Sequence, residues 1–170
     1  INLSRIINKG ELMSIWHSNY KIEHVIALRD NALNKHLGIE FIEIGKDYLV
    51  AKMPVDDRTR QTRGILHGGA SCVLAESLAS IASNLCIDMT KQKAVGLEIN
   101  ASHIRPVSSG YVVGKTTPVS LGKSIHVWNI EIKNDAGKIN CLSKLTTVIV
   151  NLKDQEIIEN TALLKKIFKN

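Results

Sequence analysis

Aromatic residues make up only 4% of the 170-residue chain. That shortage argues against the stacking surfaces that hold single-stranded nucleic acid. No apolar run approaches ~20 residues, so no helical membrane span is expected. From Ile1 onward the first residues alternate polar and apolar side chains, without the apolar core of a secretory signal. That pattern points to a cytoplasmic location. The three cysteines, Cys72, Cys86 and Cys141, are odd in number and lack Cys-x-x-Cys spacing, which argues against a disulfide framework and a zinc site. Cys72 and Cys86 sit in an apolar helical stretch with no basic partner nearby and read as small core residues rather than nucleophiles. His17, His24, His36 and His126 show no metal-ligand spacing, and no metal is expected. Internal repeats and low-complexity segments are lacking too.

What is present fits a single domain with a substantial core: 44% hydrophobic and 22% charged residues. The formal net charge is +6, but Lys and Arg are scattered rather than gathered in one tract. A solvated surface is the first reading, an anionic small ligand the second, and nucleic acid the last.

The order of elements follows from periodicity. Residues 21–37 have helical spacing in Ile22, Val25, Ile26, Leu33 and Leu37, with Gly38 as the stop. Strand patterns cover 39–45 and 47–54 around a Gly45-Lys46-Asp47 turn. A long helix covers 68–87, and four strands run over 93–105, 110–121, 124–134 and 138–150. A final segment, 154–169, has loosely helical spacing and either docks on the domain or stays mobile. Consecutive strands with short turns form an antiparallel meander. The one long helix is apolar or small nearly all round, and only the sheet is large enough to bury it. The expected fold class is α+β: an antiparallel sheet wrapped around a long central helix, over 36–150. Residues 1–35 are an N-terminal extension with a helix, and 151–170 an amphipathic tail.

Between Gly64 and Ile87 the only formally charged side chain is Glu76. A carboxylate withdrawn from water without partners costs several kcal/mol or takes up a proton. Glu76 therefore either reaches solvent, pairing with a basic residue at the rim of the helix, or sits in a purposeful pocket, with Ser77 and Ser80 placed to donate hydrogen bonds. At the helix start, His67-Gly68-Gly69 leaves backbone N–H groups unshielded, a place for an anion or a polarised carbonyl oxygen. His67 is placed to fix the chain as it enters the helix. Gly68 and Glu76 are eight positions apart, roughly 12 Å along a helix. Groups acting on one carbonyl must lie within ~3–3.5 Å of the reacting atoms. One helix can hardly supply both, whereas two antiparallel helices related by a two-fold axis can. The site is thus expected at a homodimer interface.

The run Gly64-Ile65-Leu66-His67-Gly68-Gly69-Ala70-Ser71 with Leu74-Ala75-Glu76-Ser77 closely resembles the motif of the hotdog-fold acyl-CoA thioesterases. The branch is that of the phenylacetate-pathway and Arthrobacter-type 4-hydroxybenzoyl-CoA enzymes. Within it, the chain is most similar to the 1,4-dihydroxy-2-naphthoyl-CoA and enterobactin-proofreading type. Met53-Pro54-Val55-Asp56, Val95-Gly96-Leu97-Glu98-Ile99-Asn100-Ala101, His103-Ile104-Arg105, Leu121-Gly122 and Val127-Trp128 extend the likeness over about 36–150. The resemblance implies Glu76 as nucleophile or general base, with the Gly68 N–H polarising the thioester carbonyl. It implies Gln61 and His67 orienting substrate or water, and Ser77 and Ser80 lining the acyl pocket. His103, Ile104, Arg105 and Pro106 would contact the CoA arm or acyl ring, and Gly96 with Ser120, Leu121, Gly122, Lys123, Ser124 and Ile125 would hold pantetheine and nucleotide. It implies an aromatic acyl-CoA substrate, with medium-chain acyl-CoA second. Coenzyme A is then part of the substrate rather than a cofactor, and the assembly is a dimer of dimers. Thr62 and Arg63 follow Gln61 where relatives have Pro and an aromatic, so the shape of the acyl entrance does not carry over.

Two other readings compete. A dehydratase of this fold would want Gly-x-Pro after a catalytic His, but Gly68-Gly69-Ala70 follows His67. A non-catalytic acyl-CoA-binding module would not need Glu76. By strict alternation, His103 shares a face with Val95, Leu97, Ile99 and Ala101, and Glu98 lies opposite and is expected to pair across the sheet.

Overall fold

The computed structural model describes residues 7–8, 11–12, 14–28 and 31–168. Positions 29, 30 and 169 of the predicted segments lie outside them. Strands β1 (Ile7–Asn8) and β2 (Glu11–Leu12) pair antiparallel. Where spacing predicts one helix over 21–37, two occur: α1 (Ile22–Leu28) and α2 (Ala32–Leu37). The local cause is Asn31. Its backbone is extended, and its Oδ1 accepts from Asn34 N–H at 2.9 Å, so it caps a new helix. Gly38 ends α2 in the left-handed conformation, φ 67°, as expected.

Strands β3 (Glu40–Ile44) and β4 (Leu49–Pro54) precede the long helix α3 (Gly68–Leu85). β5 (Gln92–His103), β6 (Tyr111–Leu121), β7 (Ile125–Asn134), β8 (Ile139–Asn151) and helix α4 (Asp154–Ile167) follow. The six long strands form one antiparallel sheet in the order β3-β4-β6-β7-β8-β5. α3 packs against β4 to β8, which is the hotdog architecture. Leu74, Leu78 and Leu85 of α3 meet Met53, Val112, Trp128, Ile130, Ile132 and Leu145 of the sheet in a fully buried core. Gly114 permits the close approach: a Cβ there would stand 2.7 Å from Leu78 Cδ1. The buried Trp128 Nε1–H donates to Ser83 Oγ at 2.6 Å, and Ser83 shares a 2.8 Å hydrogen bond with Thr147. No helix among the described residues is long and apolar enough to cross a membrane.

The tail docks. Glu156 Oε2 accepts from Lys153 N–H at 3.0 Å and starts α4, while its Oε1 pairs with Lys93. Asn160 Nδ2 donates to Met89 O at 3.2 Å, and Leu164 is buried.

His126, at the start of β7, is 3% exposed. Burial holds its imidazole below the ordinary value of 6.5. The unfolded chain therefore takes up a proton that the folded chain refuses, and stability present above pH 6.5 is lost as the pH falls toward the folded value. Thermal unfolding between pH 7.5 and 5.5 is expected to show a falling Tm, and His126→Gln a shallower slope.

Candidate active site

The loop before α3 brings Gln61 and His67 beside the helix start. His67 Nδ1 accepts from Gly69 N–H at 2.8 Å and caps α3, so a neutral ring carries its proton on Nε2. Ala70 N–H bonds back to His67 O, whereas Gly68 N–H takes no partner among the described residues. His103, at the end of β5, stands over this point: a Cβ on Gly68 would lie 2.6 Å from its Nε2. Gly68 and His103 line a cavity of about 640 Å³ with Gln61, His67, Ile104, Arg105 and Pro106. The resemblance assigned all seven to the site. Within the cavity wall, Gln61 Oε1 accepts from Arg63 N–H, and its NH₂ group has no partner among the described residues. Arg105 Nη1 donates to Ile139 O at 2.6 Å.

Glu76 is not in that cavity wall. It lies two turns along α3, about 12 Å from Gly68 at the standard helical rise, and half-buried. Ser80 Oγ donates to Glu76 Oε1 at 3.2 Å, as its i+4 position suggests. Ser77 does not: its hydroxyl donates instead to Asn34 Oδ1 on α2, at 2.8 Å. Among the described residues no cation pairs with Glu76, so pairing with a cation at the rim does not explain it. Its Oε1 rests against Gly96 of β5, in the space a side chain there would fill.

Strict alternation fails on β5. The pairing with β8 slips between Gly96 and Glu98, where a β-bulge leaves Leu97 as the extra residue. Ala94 and Gly96 face α3 before the bulge, and Ile99, Ala101 and His103 after it. Val95 and Leu97 are exposed and do not share the face of His103. Gly96 and His103, seven apart, would point to opposite faces of a regular strand; the bulge puts both on α3. Glu98 stands on the outer face opposite Thr146.

The β6–β7 turn follows the end marked by Glu76. Ser124 O accepts from Ile149 N–H at 2.8 Å, and His126, just beyond, pairs with Thr147, which pairs with Gly96. Lys123, Ser124 and Ile125 are exposed, Ser120 and Leu121 half-buried, and Gly122 N–H closes the turn on Ile125 O. The chain thus separates the site residues into two sets. Gln61, His67, Gly68 and 103–106 lie at the start of α3; Glu76, Ser77, Ser80, Gly96 and 120–125 are set apart from them, from the middle of α3 onward.

Two residues escaped the sequence reading. Asn140 is 3% exposed, lines the 640 Å³ cavity and has an Oδ1 without a partner among the described residues. It falls where the β7–β8 register slips, and its carbonyl accepts from Ile104 and Arg105 N–H. Asn34, equally buried, holds Ser77. Neither has a sequence signal, because a bulge and a helix–helix contact place them. The cysteines do not compete for the chemistry: burial pushes the Cys86 thiol up to about 12 and the Cys141 thiol to about 11.

The Thioesterase superfamily pattern matches residues 63–141. The chain is 47% identical over 136 residues to a 1,4-dihydroxy-2-naphthoyl-CoA hydrolase of Escherichia coli, covering 80% of this chain and 99% of that one. It is 44% identical to the proofreading thioesterase EntH of Cronobacter turicensis, over 80% and 98% of the two chains. A crystal structure of a mutant thioesterase from Pseudomonas aeruginosa, 44% identical, superposes with a TM-score of 0.79 over 82% of this chain and all of that one.

Proposed function

The chain belongs to the thioesterase superfamily and is a thioester hydrolase, and on that premise we propose that it hydrolyses an aromatic acyl-CoA to the free acid and CoA, with Glu76 as the attacking or water-activating carboxylate. One observation carries the reading: on an otherwise uncharged helix, a carboxylate with no cation partner among the described residues is held by Ser80 against Gly96 of β5. The acyl class rests on the E. coli relative. Medium-chain acyl-CoA is the second candidate.

The site is completed by a second copy. The two sets of residues, about two turns apart on α3, meet if antiparallel helices of two protomers face each other. β5 supports this. It is a twelve-residue edge strand paired on one side only, with Val95 and Leu97 exposed. Such an edge invites a partner strand. The thioester then lies with its oxygen at Gly68 N–H of one chain and its carbonyl carbon before Glu76 of the other. His103, Ile104 and Arg105 face the CoA arm from the first chain, and the Lys123 turn approaches its phosphates from the second. Residues 36–150 are the catalytic domain, cytoplasmic and without a resident cofactor, and dimers associate in pairs.

In one route Glu76 adds to the carbonyl carbon, the oxyanion rests on Gly68 N–H, and the C–S bond breaks. CoA thiolate leaves and is protonated, and water hydrolyses the resulting anhydride. In the other, Glu76 takes a proton from water as hydroxide adds to the same carbon; the C–S bond then breaks, and the proton passes from Glu76 to the departing CoA thiolate. Single turnover in ¹⁸O water separates them: label within Glu76 identifies the anhydride route.

Gly96 provides a local test. An added Cβ displaces only the flexible end of Glu76. Gly96→Ala is therefore expected to keep its Tm within a few degrees while kcat drops about 100-fold, as displacement of a reacting group by ~1 Å commonly produces. Thiol release and thermal unfolding check it together. Unchanged kcat would remove the close packing of Glu76 on Gly96 from the mechanism.

A further inference from the structure

Beyond Glu76 the same face of α3 continues into a second cavity, of about 270 Å³, walled by Leu28 of α1, Ile81 and Asn84 of α3, and Leu163 and Leu164 of α4. Ser80 lies between the two. Ser80 donates to Glu76 and, through its carbonyl, accepts from Asn84 Nδ2 at 2.8 Å. Asn84 is two turns past Glu76, about 12 Å along the helix. The polar groups around the cavity are already engaged. Asn84 Oδ1 accepts from Ala94 N–H, Asn160 Nδ2 donates to Met89 O, and Lys93 pairs with Glu156. What remains toward the interior is aliphatic, suited to hydrocarbon and not to phosphate or ribose.

Resting on the Glu76 reading, we propose that this cavity receives the acyl group and that α4 is its end wall, so that Leu163 sets the acyl size this chain accepts. A carbonyl held at Glu76 directs its acyl substituent either toward the cavity or back toward the CoA-binding turn, and the cavity, with Leu28, Ile81, Met89, Leu163 and Leu164 in its wall, is the more aliphatic of the two. Its volume suits a compact ring better than a long flexible chain, and Leu163 and Leu164 of α4 form part of its wall. α4 lies past residue 141, where the Thioesterase superfamily pattern ends, so the wall comes from a segment outside that pattern. Leu163 is 52% exposed, so substituting it does not threaten the fold.

The test compares kcat/KM for 2-naphthoyl-CoA with that for benzoyl-CoA in the full-length protein. Leu163→Trp is expected to lower the ratio about 10-fold and Leu163→Ala to raise it several-fold, the scale of discrimination that small volume changes give in an apolar pocket. Ile158→Trp, on the exposed side of α4 (66% exposed), is expected to leave it unchanged. If Glu76→Ala is inactive and both Leu163 variants, folded by thermal unfolding, keep the wild-type ratio within two-fold, the acyl wall is wrong while the catalytic reading stands. If Glu76→Ala keeps the wild-type rate, the catalytic reading falls and the acyl wall with it.

Discussion

Replacing Glu76 by Ala is expected to lower kcat for thioester hydrolysis by at least about 1,000-fold while the protein stays folded. The loss corresponds to about 4 kcal/mol of transition-state stabilisation. It follows from removing the group that attacks or activates water, when Ser80 and Gly68 can still bind but not react. Stability is not expected to suffer. Glu76 has no ion pair to lose among the described residues, and its one hydrogen bond, from Ser80, is to a hydroxyl that can turn to a backbone carbonyl. Free-thiol release from a panel of aromatic and medium-chain acyl-CoAs, measured beside Tm, decides it. Wild-type turnover by a folded Glu76→Ala protein would falsify the assignment. Inactivity of the wild-type chain on every thioester would favour acyl-CoA binding without hydrolysis.

The second large effect is a recovery. Gly68→Val puts a branched side chain into the space of His103, whose Nε2 would lie 2.6 Å from an added Cβ, and it is expected to be inactive. Chains carrying Gly68→Val, mixed by co-expression with Glu76→Ala chains, are expected to regain about one quarter of wild-type activity. Half the dimers are then hybrids, and each hybrid has one site with both functional groups intact. A site built within one protomer gives no recovery, and that outcome would return Glu76 and Gly68 to separate roles. Chromatography with light scattering on the same samples confirms that hybrids form.

Much of this was legible beforehand. Apolar alternation over residues 93–150, the small-residue composition of 68–87 and the turns between strands led to a sheet around one helix, because burying apolar surface leaves few other arrangements. Gly38 and His67 were readable as a helix stop and a helix start, because capping depends on the few residues beside it. The division of 21–37 into two helices at Asn31 was missed, although Asn is a standard cap: helical spacing on both sides outweighed one polar residue.

The sequence alone determined the fold class and the oddity of Glu76, since one charge in an apolar helix is visible without coordinates. Only the tertiary structure decided what surrounds that charge. The bulge at Leu97 turns Gly96 and His103 to one face, and the slip at Asn140 aims a polar side chain into the cavity. Asn34 draws Ser77 away from Glu76, and α4 walls part of a space beyond Ser80. Each depends on register or on contact between distant segments, and a one-residue slip in a strand reverses the faces of every residue after it.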